Sequence, residues 1–179
     1  MTEEPDETLS KRAALGDRDA FSSLIARHHG RIYRLAWRWC GKRDAAEDIA
    51  QEVCVKLAGA IRSYRGESSF ATWLHRIAYT TTIDHMRISQ RIVAVEPSEI
   101  IRLADSAIVH SPDENADGAE LWEAVRALPP QQRDAVLMVY GEDMSHKEAA
   151  RIMECSEKTV SWHIHEAKKR LRIYLEAVG

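Results

Sequence analysis

Two serine-led helix starts near the C-terminus restrict this chain more than any other feature of it. Ser145-x-x-Glu148 has the capping-box spacing, in which the serine hydroxyl accepts from a backbone N–H three residues on and the glutamate reaches back. It opens a short helix through Ala149, Ala150, Ile152 and Met153. A turn at Glu154-Cys155 follows, and Ser156 stands where it caps a final helix beginning at Glu157. Upstream, Leu128-Pro129-Pro130 stops one helix, and Gln131 to Tyr140 forms the next with Val136, Leu137 and Tyr140 inward, ended by Gly141. A short helix, a tight turn and a longer helix make the helix-turn-helix plan, whose second helix enters a DNA groove.

The final helix supports this plan face by face. Val160, Ile164, Ala167 and Leu171 recur at i, i+4, i+7 and i+11, a stripe that packs on the preceding helices. Lys158, Ser161, Trp162, His165 and Lys169 fall on the opposite side, a basic and hydrogen-bonding face with one large aromatic. Lys168, Lys169, Arg170 and Arg172 add attraction for phosphate at its C-terminal end. The competing reading is an amphipathic helix packed in a bundle; the tight turn and the two serine caps favour DNA.

The rest of the chain is read as helical too. Gly (8) and Pro (5) are scarce among 179 residues, while Ala, Leu, Ile, Arg and Glu are plentiful. The fold class expected is all-α, as two small helical domains joined by a flexible linker. The first spans 9–90, the linker 91–117 and the second 118–179. Within Ile92–Glu120, Arg102 is the sole Lys or Arg against seven acids, and no apolar period is sustained.

In the first block, Ala20, Phe21, Leu24 and Ile25, then Ile32, Leu35, Ala36 and Cys40, recur at three and four residues, ended by Gly41. Asp44 stands three residues before Glu47, which predicts a capping box opening a helix over about 45–61. Ile49, Val53, Leu57 and Ile61 form its core stripe. Asp48, Gln51, Glu52 and Val55 form a second stripe. That stripe is either an ordinary solvated face or an acid-and-amide surface that docks a basic partner, and periodicity does not choose. Next come a polar turn, Tyr64 to Ser69, and a helix from Phe70 to about Gln90. Phe70 and Trp73 suit either core packing or stacking on unpaired bases; Arg76, Thr80 and Arg87 lie on the other face of that helix.

The net charge of −3 disfavours a protein that coats DNA, so any nucleic-acid contact is local. Cys40, Cys54 and Cys155 lie far apart and form no CxxC pair, which reads as cytosolic thiols. The acidic, polar start is no secretory signal and no apolar run reaches the roughly 20 residues that span a membrane, so the expected place is the cytoplasm without membrane insertion. His28-His29, His146 and His163-x-His165 form no known ligand set, and no phosphate loop or nucleophile motif appears. No metal, no cofactor and no enzyme activity is expected.

Three segments then carry a resemblance to the extracytoplasmic-function (group 4) sigma factors of the sigma-70 family. Asp44-Ala45-Ala46-Glu47-Asp48-Ile49-Ala50-Gln51-Glu52-Val53 resembles the family's region 2.2. Arg65-Gly66-Glu67-Ser68-Ser69-Phe70-Ala71-Thr72-Trp73-Leu74-x-Arg76-Ile77-Ala78 resembles region 2.3. Leu128-Pro129-Pro130-Gln131-Gln132-Arg133 with the helix-turn-helix resembles region 4.

The resemblance implies an alternative RNA polymerase sigma factor that recognises −35 and −10 promoter elements and promotes melting. It assigns Asp48, Gln51, Glu52 and Val55 to docking core RNA polymerase on the β′ clamp helices. It assigns Arg65, Gly66, Glu67, Ser68, Ser69 and Phe70 to a pocket for a flipped −10 base before Trp73, with Arg76, Thr80 and Arg87 on strand or phosphate. It assigns Lys158, Thr159, Ser161, Trp162, His163, His165 and Lys169 to the −35 element, and region 4 also to the β flap. The family implies an anti-sigma factor as a further partner. Several positions depart from its pattern: Thr80 stands near a position often held by Asn, the tail Arg87 to Arg91 is less basic, Lys158 to His163 differs from the common recognition-helix run, Glu154 fills a turn position often held by Gly, and Glu166 one often basic. A one-component helix-turn-helix regulator is the alternative, separable because it needs no polymerase to find its site.

Overall fold

Asp17 sets the first long helix by accepting from the backbone N–H groups of Asp19 and Ala20, both at 3.0 Å. The computed structural model describes residues 4–95 and 116–178. Among these every regular element is helical, and they fall into two compact units.

The first unit comprises α1 (Asp6–Ala14), α2 (Arg18–Cys40), α3 (Arg43–Ala60), a 3-10 turn (Ile61–Ser63) and α4 (Phe70–Val95). α2 is the spine against which α1, α3 and α4 pack. Its apolar stripe of Leu24, Ile32, Leu35 and Trp39 is buried, as are Ile49, Val53 and Leu57 of α3 and Leu74 of α4, the helices that pack on it. Shortening an enclosed Ile or Leu here to Ala costs about 2–5 kcal/mol, because the site collapses incompletely. Gly41 ends α2 at φ 68, in the left-handed region that favours glycine.

Three boundaries differ from expectation. The capping box at Asp44 does not form: α3 starts at Arg43 behind Lys42, with no side-chain cap, and Arg43 pairs with Glu47 at 3.0 Å. Asp44 lies inside the first turn, where its charge complements the helix dipole instead. α4 continues to Val95, past the expected end at Gln90. The block also begins before Leu9, since Asp6 and Glu7 open α1. Most of the expected linker lies outside the described residues.

The second unit comprises α5 (Ala116–Arg126), α6 (Pro130–Val136), a wider π turn (Leu137–Gly141), α7 (His146–Met153) and α8 (Glu157–Val178). Pro130 occupies the first turn of α6, where its missing N–H is not needed. Ala135, Leu137, Ala149, Val160 and Ala167 are fully buried at the centre. The expected inward Tyr140 is a correction. Its ring is exposed, because the π turn (Glu142 N–H to Leu137 O, 3.0 Å) breaks the 3.6-residue period that had aligned it with Val136. Lys168 of α8 sits over the Tyr140 face at 5.1 Å from the ring centre.

Candidate nucleic-acid interface

The turn between the 3-10 helix and α4 is built around Gly66 at φ 73, a conformation at which a side chain is strained. The Tyr64 hydroxyl donates to the Ser68 carbonyl at 2.8 Å and ties one side of the turn to the other. Ser69 accepts from the Thr72 N–H at 3.2 Å and so starts α4. Tyr64 also packs edge-on to Phe70 (5.8 Å) and tilted against Trp73 (5.1 Å). Beside this aromatic group lies a cavity of about 460 Å³, lined by Tyr64, Arg65, Gly66, Glu67, Ser68 and Ser69 of the turn and by Glu7 and Lys11 of α1.

The residues named for the −10 element thus part company. Arg65, Gly66, Glu67 and Ser69 are exposed, and Ser68 and Trp73 are half-buried. Phe70 is the correction: at 3% exposure it belongs to the core, with its ring tilted against that of His28 at 5.4 Å. It shares the inward stripe of α4 with Leu74 and Ala78, and packs behind Tyr64 without lining the cavity itself. Arg76, Thr80 and Arg87 are exposed along one side of α4. The Thr80 hydroxyl already donates to the Arg76 carbonyl at 2.9 Å and retains accepting capacity. Arg87 stands 3.9 Å from Asp84, a loose pair that leaves it able to meet phosphate.

On α3, Asp48, Gln51, Glu52 and Val55 are all exposed, opposite the buried Ile49, Val53 and Leu57. Val55 is 72% exposed, an apolar side chain set among acids. Glu52 pairs with Lys56 at 2.9 Å.

In the second unit, the Ser145 capping box forms as expected, with Glu148 N–H to Ser145 Oγ at 3.2 Å and Ser145 N–H to Glu148 Oε2 at 2.9 Å. Glu154 makes the turn at φ 55. Ser156 caps α8 by accepting from the Thr159 N–H at 3.1 Å, and the two hydroxyls meet at 2.8 Å. Lys158, Ser161, Trp162, His165 and Lys169 are exposed. Trp162 presents 56% of its surface. Thr159 is half-buried with its hydroxyl engaged.

His163 is the second correction. It is 6% exposed, because Val160, His163, Ile164 and Ala167 together make the full i, i+3, i+4, i+7 inward stripe. Its Nδ1 is buried without a hydrogen-bond partner, and its ring meets Trp162 at 5.0 Å, so it supports the indole from behind. Ser161 donates to the Glu157 carbonyl at 3.0 Å and meets His146 Nδ1 at 2.8 Å. Lys169 pairs with Glu166 at 2.9 Å, and that hydrogen bond holds the Glu166 carboxyl below the usual range.

The sequence pattern did not single out His146 beside Ser161, nor α1 as an element of its own, although the helical block was expected from Leu9. The nine residues of α1 are too few for a convincing period, although Leu9 and Ala13, one turn apart, carry its buried edge. No helix among the described residues is long and apolar enough to cross a membrane.

Comparison with known proteins agrees with both units. Residues 24–92 match the family model for sigma-70 region 2, and residues 118–171 match that for sigma-70 region 4. Region 2 therefore occupies the part of the chain that a sensing domain would need, which sets aside the one-component regulator. The RNA polymerase sigma-H factor of Pseudomonas aeruginosa is 30% identical over 96% of this chain and 94% of its own length. The ECF RNA polymerase sigma factor SigW of Bacillus subtilis is 29% identical over 90% of this chain and 92% of its own. Two solved structures share the fold at a TM-score of 0.74 each. CnrH in complex with the cytosolic domain of CnrY is 23% identical over 97% of this chain and 99% of that one. The sigma factor RpoE in complex with the anti-sigma factor NepR, from Bartonella quintana, is 24% identical over 87% and 96%. With helix-turn-helix, polar turn and both family regions in chain order, this chain belongs to the sigma-70 family, as an alternative RNA polymerase sigma factor of the extracytoplasmic-function group.

Proposed function

We propose that this sigma factor divides its work between two differently shaped surfaces, and performs no bond chemistry of its own. Asp48, Gln51, Glu52 and Val55 dock a basic and partly apolar face of core polymerase, the β′ clamp helices. The turn Arg65–Ser69 holds an unpaired base of the −10 strand, while Arg76, Thr80 and Arg87 follow the backbone. Lys158, Ser161, Trp162, His165 and Lys169 meet the −35 duplex, with the β flap as a further contact of the same unit. The observation that carries the reading is the cavity beside Gly66, which sits at the head of α4 next to an aromatic cluster. Extruding a base costs a few kcal/mol, and a cavity of this kind offsets that by hydrogen bonds and stacking.

The workplace of such a factor is the cytoplasm, where polymerase and promoter are. An anti-sigma factor is the proposed regulator, in keeping with the two solved relatives, whose structures contain CnrY and NepR. The test mixes the purified chain with bacterial core polymerase and fragmented genomic DNA and maps transcript starts. The expected result is a set of starts sharing −35 and −10 elements, abolished by the pair Asp48→Lys and Glu52→Lys. Starts unaffected by that pair in a folded protein would remove the α3 assignment.

A further inference from the structure

The cavity beside Gly66 has a wall that does not come from the turn. Glu7 and Lys11 stand four residues apart on one side of α1, and both line it. They precede residue 24, where the match to the region 2 family model begins. α1 is held firmly in place there. Asp6 meets His28 at 2.7 Å and also binds Arg27, and Arg12 binds Glu4 at 2.6 Å and Asp17 at 2.7 Å. Leu9, Ser10 and Ala13 are buried beneath. Glu7 is near enough to the Tyr64 ring to contribute, after burial of the phenol, to raising its pKa.

A carboxylate facing a polyanionic strand is repelled unless something on that strand donates to it. Phosphates and sugars of DNA offer no such donor, so the base must. Cytosine, adenine and guanine each carry an exocyclic amine, whereas thymine flanks its single ring N–H with two carbonyls that a carboxylate repels. A lysine one turn further along compensates the charge and suits the phosphate beside the base.

Resting on the reading of this cavity as the site of an unpaired base, we propose that Glu7 is a specificity-determining residue of the −10 pocket. Its carboxylate accepts from the exocyclic amine of the extruded base and so selects an amine-bearing base over thymine. Lys11 holds the adjoining phosphate.

The experiment uses holoenzyme reconstituted with core polymerase. Its probes are forked promoter DNAs that carry each of the four bases, in turn, at each unpaired −10 position. Unaltered protein is expected to prefer an amine-bearing base over thymine at one position by about tenfold or more. Glu7→Ala should reduce that preference to about twofold or less, by weakening the preferred base and improving thymine. Lys11→Ala should weaken all four bases alike and make the salt dependence shallower by roughly 0.7 in log–log slope. Holoenzyme formation and helical content monitor folding of each variant. A preference that survives Glu7→Ala overturns the role of Glu7 and leaves the pocket standing. The absence of any preference in the unaltered holoenzyme overturns the pocket itself, and this inference with it.

Discussion

The turn at Gly66 and the turn at Glu154 both place a residue at positive φ, at 73 and 55, yet they serve opposite shapes. The first bends the chain around a hollow and leaves polar groups pointing into it. The second swings one helix against another and leaves a convex helix face. An unpaired base needs a concave receptor, because its edges are reached only by surrounding it. A duplex needs a rod, because its edges lie in a groove. The difference teaches that aromatic residues mean different things in the two units. Phe70 at 3% exposure is core, packed behind Tyr64, which lines the hollow, whereas Trp162 at 56% is itself presented.

The largest test of that contrast compares these two rings. Phe70→Ala should destabilise the first unit by about 3–5 kcal/mol, read as a lowered denaturant midpoint. Trp162→Ala should leave that midpoint within about 0.5 kcal/mol and weaken −35 duplex binding roughly tenfold. Equal losses of stability would erase the distinction. The turns come next. Gly66→Ala meets no neighbouring atom within 4 Å, so it should cost about 1 kcal/mol through backbone strain, with a matching fall in forked-DNA affinity. Glu154→Gly should stabilise by up to about 1 kcal/mol in chemical denaturation, since glycine tolerates the left-handed conformation. Ser145→Ala, which removes the cap of α7, should cost about 1 kcal/mol in the same assay. The smallest effect belongs to Glu166→Gln. It frees Lys169 and should tighten −35 binding by about twofold at low salt, an advantage that disappears at high salt.

Sequence pattern reached the helices wherever a stripe ran long enough to be read. α2, α3 and α8 declared their buried faces through repeated three- and four-residue spacing, and the cap at Ser145 formed as its spacing required. The failures have identifiable physics. Asp44 has the spacing of a cap, but α3 begins earlier, at Arg43 behind Lys42, which leaves Asp44 inside the first turn, and helix ends are the least sharply encoded part of a helix. Tyr140 was misplaced because a π turn carries no distinct sequence signal. His163 and Phe70 fall on the buried stripes of α8 and α4, but a histidine and an aromatic ring also suit a nucleic-acid surface, and the family resemblance had assigned them there. The cavity was legible in half, from the turn. Its other half comes from α1, a distant stretch of chain brought alongside by Asp6, His28 and Arg27.

The uneven burial of the five tryptophans gives the molecule a built-in optical readout. Trp37 and Trp39 are sealed from solvent, Trp73 and Trp122 are partly shielded, and Trp162 is open. Iodide in solution would therefore quench chiefly the indole on α8, and emission from the sealed pair would persist. A duplex carrying the −35 element would shield Trp162 from collision, so occupancy of one surface is visible without a dye. Trp73, tilted against Tyr64 at 5.1 Å beside the hollow, would report the arrival of an unpaired base as a change in emission rather than in accessibility. One unlabelled sample thus distinguishes two binding events by the way each alters the light.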